Sequence, residues 1–262
     1  MSNNTLHKLG IDIGSTTVKV AVLDENDNLL FSDYERHFAN IRETLSLLVE
    51  KAYKQLGDMQ IAPMITGSGG LTLAKHLDVP FVQEVISVST ALQHYAPQTD
   101  VAIELGGEDA KIIYFEGGNV EQRMNGICAG GTGSFIDQMA SLLQTDASGL
   151  NEYAKNYKAL YTIAARCGVF AKTDIQPLLI QGADRADIAL STFHAIAKQT
   201  IGGLSQGLEL KAPIIFEGGP LTFNSTLIRV FAERLGLSDK DYIVPQHAET
   251  IVAYGTAVAI DN

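Results

Sequence analysis

One pattern occurs twice along this 262-residue chain: an apolar segment, an acidic residue, a turn of small residues and a second apolar segment. The first copy runs through residues 9–23 around Asp12, and the second runs through residues 101–115 around Glu104. Each copy predicts two strands joined by a tight turn. Two such hairpins facing each other would grip a phosphate chain from both sides. The duplication therefore predicts an α/β protein of two closely joined lobes with a nucleotide cleft between them.

The segments around the hairpins predict further helices and strands. Apolar residues at helical spacing indicate amphipathic helices, and short apolar runs between turn residues indicate strands. The predicted helices cover 40–57, 85–95, 134–144, 186–210, 224–235 and 249–260; the other predicted strands cover 62–66, 214–216 and 242–244; and turns are predicted at 24–28, 67–70 and 116–119. No Pro-rich or charged linker separates the halves. We expect an N-terminal lobe over 1–97, a C-terminal lobe over 98–247, and a final segment, 248–262, whose helix packs back on the first lobe.

Composition excludes several classes of protein. A formal net charge of −11 argues against a nucleic-acid binder, which needs a basic surface to displace counterions. No run approaches the roughly 18 apolar residues of a membrane span, and the polar start does not predict a targeting segment. Two cysteines are too few for a secreted disulfide scaffold. We therefore expect a cytoplasmic protein that binds neither membrane nor nucleic acid.

The first candidate site is the turn of the first hairpin, from Asp12 to Thr17. A carboxylate at a strand end can hold a hydrated Mg²⁺ through water. Gly14 allows a tight turn, and hydroxyl groups together with backbone amides can cradle phosphate oxygens. The predicted phosphate-binding residues are Gly14, Ser15, Thr16, Thr17 and the cation Lys19. An ordinary β-hairpin with a glycine turn is the alternative.

The second candidate site is the turn of the second hairpin, with Glu104, Gly106, Gly107, Glu108 and Asp109. Three acids within six residues repel one another unless a positive charge lies among them. A magnesium-bound nucleotide would provide that charge, and one of the acids could orient an attacking water. A solvated acidic turn is the alternative.

Two further glycine-rich stretches complete the set. The segment from Glu217 to Pro220 follows an apolar strand and precedes a helix, so Gly218, Gly219 and Pro220 are predicted to let a flat adenosine lie on the backbone. The loop of Gly131, Thr132 and Gly133 precedes another helix, and it would either approach the phosphates or brace the cleft.

Three of these segments form an ordered set of motifs: the first is the turn 12–17, the second is the turn 104–109 and the third is the segment 217–220. Their order resembles the actin/Hsp70/hexokinase superfamily of ATPases, and this resemblance implies two ribonuclease-H-like lobes of the actin/Hsp70/sugar-kinase ATPase fold. Two cysteine segments narrow the resemblance. Residues 125–133, with Cys128, and residues 166–174, with Cys167, look like the activators of 2-hydroxyacyl-CoA dehydratases and of benzoyl-CoA reductase, the BadF/BadG/BcrA/BcrD-type ATPases. The similarity covers about 9–259, and sugar kinases of the superfamily would not need the cysteines.

The resemblance implies a homodimer in which each chain gives Cys128 and Cys167 to one [4Fe–4S] cluster, since two thiolates from each of two chains make four ligands. It implies ATP/ADP and Mg²⁺ as cofactors, with Asp12, Glu104 and Glu108 as catalytic residues. The family pattern carries Asp and Gln where this chain has Glu104 and Glu108. Ferredoxin or flavodoxin would donate an electron, which ATP hydrolysis drives into a 2-hydroxyacyl-CoA dehydratase or related reductase.

The residues alone leave alternatives open. The two cysteines could be inert buried thiols, or they could form one disulfide. The whole chain could be a small-molecule kinase of sugar type with the same fold, which needs an acid as general base and no cluster. It could also be a nucleotide sensor without catalysis.

Overall fold

The computed structural model describes residues 6–116, 119–125, 130–165 and 167–261. The chain divides into two compact units, each with its own sheet and apolar core. The first combines Met1–Gln98 with Pro245–Asn262, and the second is Thr99–Val244. None of the helices in the described ranges is long and apolar enough to cross a bilayer.

The elements follow in chain order. Those of the N-terminal part are β1 Leu6–Ile13, β2 Thr17–Leu23, β3 Leu29–Arg36, α1 Ile41–Leu56, β4 Gln60–Thr66, α2 Gly70–Leu77 and α3 Glu84–Tyr95. Those of the second unit are β5 Val101–Leu105, β6 Ala110–Glu116, β7 Asn119–Met124, α4 Gly133–Leu142, α5 Ala147–Ala154, α6 Gly168–Ile180, α7 Arg185–Leu204, β8 Ile214–Glu217, α8 Gly219–Phe223, α9 Ser225–Leu235 and β9 Tyr242–Ile243. The chain then returns to the first unit with α10 Ile251–Val258 and the 3₁₀ turn Ala259–Asp261.

Both sheets follow one plan. The first has the strand order β3-β2-β1-β4, and the second has the order β7-β6-β5-β8-β9. In each, the leading strand pairs antiparallel with the next strand on one side and parallel with a later strand on the other. The duplication inferred from two short motifs therefore extends to whole sheets, and the α/β class is confirmed.

The first unit is completed by the last helix of the chain. Helix α10 packs against α3 and β1, where it lies close to the backbone at Gly10. A Cβ atom there would overlap the carbonyl oxygen of Ala253. The Thr256 and Ser87 hydroxyl groups are also joined by a 2.9 Å hydrogen bond. Because helix and strand touch through backbone atoms, a side chain at position 10 would separate them.

The second unit is built around a sheet whose central strand is covered on both faces. All five residues of β5 are buried, and four of them are apolar, so the strand does not alternate between apolar and polar residues. Thirteen of the twenty residues of α7 are buried, and this helix packs against α5 and α9. The strand β5, which begins the hairpin β5–β6, is therefore packed tightly within the core of this unit.

Several elements differ from the sequence-based expectation. The helix predicted over 186–210 ends at Leu204, because Gln206 and Gly207 adopt positive φ, which an α-helix cannot continue. The prediction did not include β3, α2, β7, α5, α6 or α8. In α6, apolar residues occur all round the helix, so no single apolar stripe marks it.

We predict that Gly10→Ala lowers the free energy of unfolding by about 2 to 3 kcal/mol, because the methyl group overlaps the α10 backbone. The matched control is Gly202→Ala in α7, where an added Cβ meets no atom within 4 Å. That change should stabilise the protein by about 0.5 to 1 kcal/mol through helix propensity. Urea unfolding followed by circular dichroism measures both, and equal effects of the two variants would contradict the close approach.

Candidate functional site

The first hairpin brings the predicted phosphate-binding residues together at one strand end. The Gly14 amide donates to the Thr17 carbonyl oxygen at 2.9 Å, which closes the turn that carries Ser15 and Thr16. Asp12 is 2% exposed, and its Oδ2 accepts a 2.6 Å hydrogen bond from Lys19 Nζ. Lys19 therefore neutralises the acid of this motif.

Two further segments support this turn, and sequence reasoning did not assign them to the site. In the turn after β4, a Cβ at Gly67, whose φ is +92°, would overlap the Ile13 carbonyl oxygen, and the Gly69 amide donates to that oxygen at 2.9 Å. The buried His37 lies with Nε2 3.2 Å from the Gly14 carbonyl oxygen. The parallel pairing of β4 with β1 brings the 67–70 turn to this strand end, and no local pattern marks His37.

The second hairpin repeats the arrangement of the first. Lys111 Nζ lies 3.0 Å from Glu104 Oε1 and 3.0 Å from Asp109 Oδ2, and the side chains of Lys111 and Glu104 are 4% and 7% exposed. Lys111 therefore provides a positive charge between two of the three acids, in addition to any charge that a magnesium-bound nucleotide would bring. Glu108, the third acid, is exposed.

An acid and a lysine seven residues later face each other in both hairpins. Asp12 pairs in register with Lys19, and Glu104 pairs in register with Lys111. Facing residues of an antiparallel pair project to the same side of the sheet, so each lysine reaches its acid. The repeated spacing could have been found in the sequence, but its meaning depends on the strand register.

One carboxylate oxygen of Glu104 lacks a hydrogen-bond partner among the described residues. This atom, Oε2, is buried. A buried carboxylate oxygen without a donor is costly, and a hydrated cation would satisfy it. The arrangement at the end of β5 therefore fits a magnesium ion held through water.

The third motif lies directly beside the second. The end of β8 pairs in parallel with the end of β5, so that Glu217 is in register with Glu104, and Glu217 is completely buried. Gly218 has a φ of +91°, and a Cβ there would overlap the Leu105 carbonyl oxygen. Only glycine combines this conformation with this approach. The backbone that was predicted to lie under an adenosine is therefore packed against the phosphate motif.

The loop before α4 braces the second motif. The Gly133 amide donates to the Gly106 carbonyl oxygen at 2.9 Å, and the Ser134 amide donates to the Gly107 carbonyl oxygen at 2.7 Å. A Cβ at Gly133 would also lie 3.2 Å from Pro220 Cγ. Gly133 and Ser134 therefore brace the turn of the second hairpin within this unit. These first-turn amides are occupied by carbonyl oxygens and are not open to an anion.

The cysteine segments are described in part. Cys167 is the N-cap residue of α6 and is partly exposed. Cys128 lies outside the described residues. Within the described ranges, no three His, Cys, Asp or Glu side chains converge as a metal site. A site built from two thiolates of each of two chains would not form such a group in one chain, and the exposed position of Cys167 at a helix N-terminus fits a ligand of that kind.

The sequence matches the BadF/BadG/BcrA/BcrD ATPase family over residues 9–258. The (R)-2-hydroxyglutaryl-CoA dehydratase activating ATPase of Acidaminococcus fermentans is 27% identical over 219 residues, which are 82% of this chain and 83% of that protein. Further relatives are named as activators of 2-hydroxyisocaproyl-CoA dehydratase from Clostridioides difficile and of lactoyl-CoA dehydratase from Anaerotignum propionicum.

Solved structures share the fold. The crystal structure of the Acidaminococcus fermentans (R)-2-hydroxyglutaryl-CoA dehydratase component A superimposes with a TM-score of 0.85 at 25% identity, covering 97% of both chains. The 2-hydroxyisocaproyl-CoA dehydratase activator from Clostridium difficile with bound ADPNP gives 0.84 at 25% identity, covering 97% of this chain and 93% of that one. A ROK family glucokinase from Streptomyces griseus gives 0.57 at 14% identity, covering 97% and 98%. The predicted sugar-kinase type of ATPase fold is thereby confirmed.

We predict that Lys111→Met destabilises the protein by about 3 kcal/mol or more, because it leaves the buried Glu104 carboxylate without its counter-charge. The matched control is Lys54→Met, which removes an exposed ion pair with Glu50 one helical turn away and should cost less than about 0.5 kcal/mol. Urea unfolding at pH 7 measures the difference, and equal losses in both variants would contradict the role of Lys111.

Proposed function

Because this chain belongs to the BadF/BadG/BcrA/BcrD ATPase family, we propose that it is an ATP-dependent activator that passes an electron through a [4Fe–4S] cluster to a 2-hydroxyacyl-CoA dehydratase or related reductase. The observation that carries the proposal is the near-complete likeness, in length and fold, to activators of such dehydratases. The acid–lysine hairpins and the two cysteines are the features of this chain that the activity would use.

The nucleotide-binding part of the proposal rests on the two hairpin turns. The hydroxyl groups of residues 15–17 would bind phosphate oxygens, and Gly14 allows the tight turn that presents them, while Asp12 and Glu104 would hold the waters of a Mg²⁺ ion. Lys19 and Lys111 form ion pairs with these carboxylates and hold them in position. The backbone at Gly218 and Gly219 supports the adenosine. A Mg²⁺ ion held by these two carboxylates would supply positive charge to offset the charge on the phosphate oxygens.

The hydrolytic water needs an acceptor for its hydrogen bond. Glu108 is exposed on the turn between β5 and β6 and forms no ion pair among the described residues. Its carboxylate is therefore available to orient the water. ATP and water give ADP and phosphate, and the free energy released drives the electron step. The chain accepts one electron from a reduced ferredoxin or flavodoxin and delivers one electron to the acceptor protein, so the redox change balances.

The cluster part of the proposal rests on Cys128 and Cys167 of two identical chains. A [4Fe–4S] cluster, when bound, supplies a centre that gains and loses one electron. The first turn of α6 follows Cys167 directly and exposes Val169 and Phe170, which are 67% and 64% accessible. Large apolar side chains beside a ligating thiol fit a surface that a second copy covers.

We predict that the anaerobically purified dimer holds about four irons, and that Cys128→Ser and Cys167→Ser each lose most of them, because each removes two of four thiolate ligands. The control is Thr173→Ala, an exposed position on the same helix as Cys167. Iron content and dimer mass are measured together. Full iron content in either serine variant would contradict the proposal.

We predict that Asp12→Asn lowers the turnover of ATP hydrolysis by about 100-fold, because a neutral amide holds the magnesium waters less well. The control is Asp58→Asn, an exposed aspartate of the same unit, which should hydrolyse ATP at the wild-type rate. Phosphate release without any added alcohol is measured. Activity that required a sugar-type acceptor, and that persisted in both cysteine variants, would instead assign the chain to the small-molecule kinases.

A further inference from the structure

His37 bonds to two carbonyl oxygens of the turn between β1 and β2. Its ring Nε2 lies 3.2 Å from the Gly14 carbonyl oxygen, and its backbone amide donates to the Thr16 carbonyl oxygen at 3.1 Å. The carbonyl oxygen of Ile13, just before the turn, accepts from the Gly69 amide. A carbonyl oxygen carries partial negative charge and would repel a phosphate. These bonds therefore direct three such oxygens to donors within the protein.

The bonds of the His37 ring define which of its nitrogens carries the proton. The Ala39 amide donates to Nδ1 at 3.0 Å, so Nδ1 acts as an acceptor and carries no proton. Nε2 then carries the proton and donates to the Gly14 carbonyl oxygen, which can only accept. The residue is 8% exposed, so water does not compete freely for either bond. One tautomer therefore fits this position, with its N–H directed at the turn.

The bond to Gly14 also orients the backbone amide of Ser15. The peptide between these two residues is trans, and in a planar trans peptide the carbonyl oxygen and the following N–H point in opposite directions. Since the Gly14 carbonyl oxygen is held by the His37 ring, the Ser15 N–H points away from that ring. Ser15 is exposed, and its amide and hydroxyl are two donors of the kind that bind phosphate oxygens. His37 therefore sets the direction of one donor in the predicted phosphate site.

The backbone that follows the His37 ring is strained. Phe38 and Ala39 have φ values of +42° and +69°, in a region that is unfavourable for residues with a side chain. Neighbouring bonds hold this conformation, since the His37 carbonyl oxygen accepts from the Asn40 amide at 2.6 Å and the Asn40 carbonyl oxygen accepts from the Thr44 amide of α1 at 3.1 Å. Strain of this kind occurs most often where the position of a segment matters for function.

We propose that His37 is a positioning residue for nucleotide binding, and that its Nε2–H directs the Ser15 amide to a phosphate oxygen by holding the Gly14 carbonyl oxygen. The inference rests on the proposed function, since it needs a nucleotide phosphate at this turn. The role is indirect, because His37 acts through the peptide between Gly14 and Ser15. The bond from Ala39 holds the ring, and the bond to Gly14 performs the positioning.

The test compares two variants that each keep one of the two ring bonds. The longer side chain of His37→Gln places its amide NH₂ at the position of Nε2, where it still donates to the Gly14 carbonyl oxygen. The shorter side chain of His37→Asn places its carbonyl oxygen at the position of Nδ1, where it accepts from the Ala39 amide but does not reach Gly14. Calorimetric titration of the whole chain with ADPNP and Mg²⁺ measures the dissociation constant. His37→Asn should weaken binding by about tenfold, and His37→Gln should stay within about threefold of the wild type.

The control is His76→Asn, the same change at an exposed histidine of α2 in the same unit, which should bind ADPNP as the wild type does. Circular dichroism establishes that each variant is folded under the conditions of the titration. A second measurement uses the wild type alone and so does not depend on how the variants fold. Nitrogen-15 NMR should show the proton of the His37 ring on Nε2, and the Ser15 amide proton should move downfield when ADPNP binds, because it gains a charged acceptor.

The outcomes separate this inference from the proposed function. Wild-type affinity in His37→Asn, or binding by His37→Gln that is as weak as that of His37→Asn, overturns the role of His37 and leaves the activator function intact. A ring proton on Nδ1, or a Ser15 amide resonance that ADPNP does not move, has the same consequence. A wild type that binds no ADPNP overturns the nucleotide-binding part of the proposed function, and the inference with it. A wild type that shows the expected binding but holds no iron overturns the electron-transfer part alone, and the role of His37 stands.

Discussion

The ion pair across each hairpin is the interaction on which the rest of the structure depends. A carboxylate at a buried strand end is costly without a counter-charge, and in both units the lysine seven residues later provides one. The antiparallel register places the acid and the lysine opposite each other. Formation of the hairpin therefore brings the lysine to the carboxylate. In the second unit, Lys111 bonds to Oε1 of Glu104, and Oε2 has no hydrogen-bond partner among the described residues. That second oxygen therefore remains available to coordinate a hydrated cation.

Backbone hydrogen bonds extend this order from the hairpin to the cysteine segments. The first two amides of α4 donate to carbonyl oxygens in the turn between β5 and β6, and the same helix packs against α6. The N-terminal amides of α4 at Gly133 and Ser134 thus bind carbonyl oxygens of the turn and connect it to the helix. The second unit therefore connects its acidic turn, through α4, to the helix that begins directly after Cys167.

The sequence predicted both hairpins and the strands β4 and β8 that pair with them in parallel. These predictions succeeded because the alternation of apolar residues, the turn glycines and the apolar runs are local features. It could not predict that Lys111 balances Glu104 and Asp109, since that depends on strand register. The contact of Gly67 with Ile13 depends on a parallel crossover, and α6 lacks an apolar stripe. For residues 131–133 the pattern allowed either an anion site or a brace, and only the donors and acceptors in the structure distinguish them. Cys128 lies outside the described residues, so its role rests on the family resemblance.

The discontinuity of the first unit has a consequence for biosynthesis. Helix α10, which contacts β1 at Gly10, is translated after the whole of the second unit. The second unit is a single stretch of chain, so it can complete its core while the ribosome is still adding residues. The first sheet, by contrast, waits with its Gly10 surface uncovered until the last helix emerges. A nascent chain is therefore expected to fold its second unit, which contains both cysteines, before the hairpin β1–β2 of the first unit is fully packed.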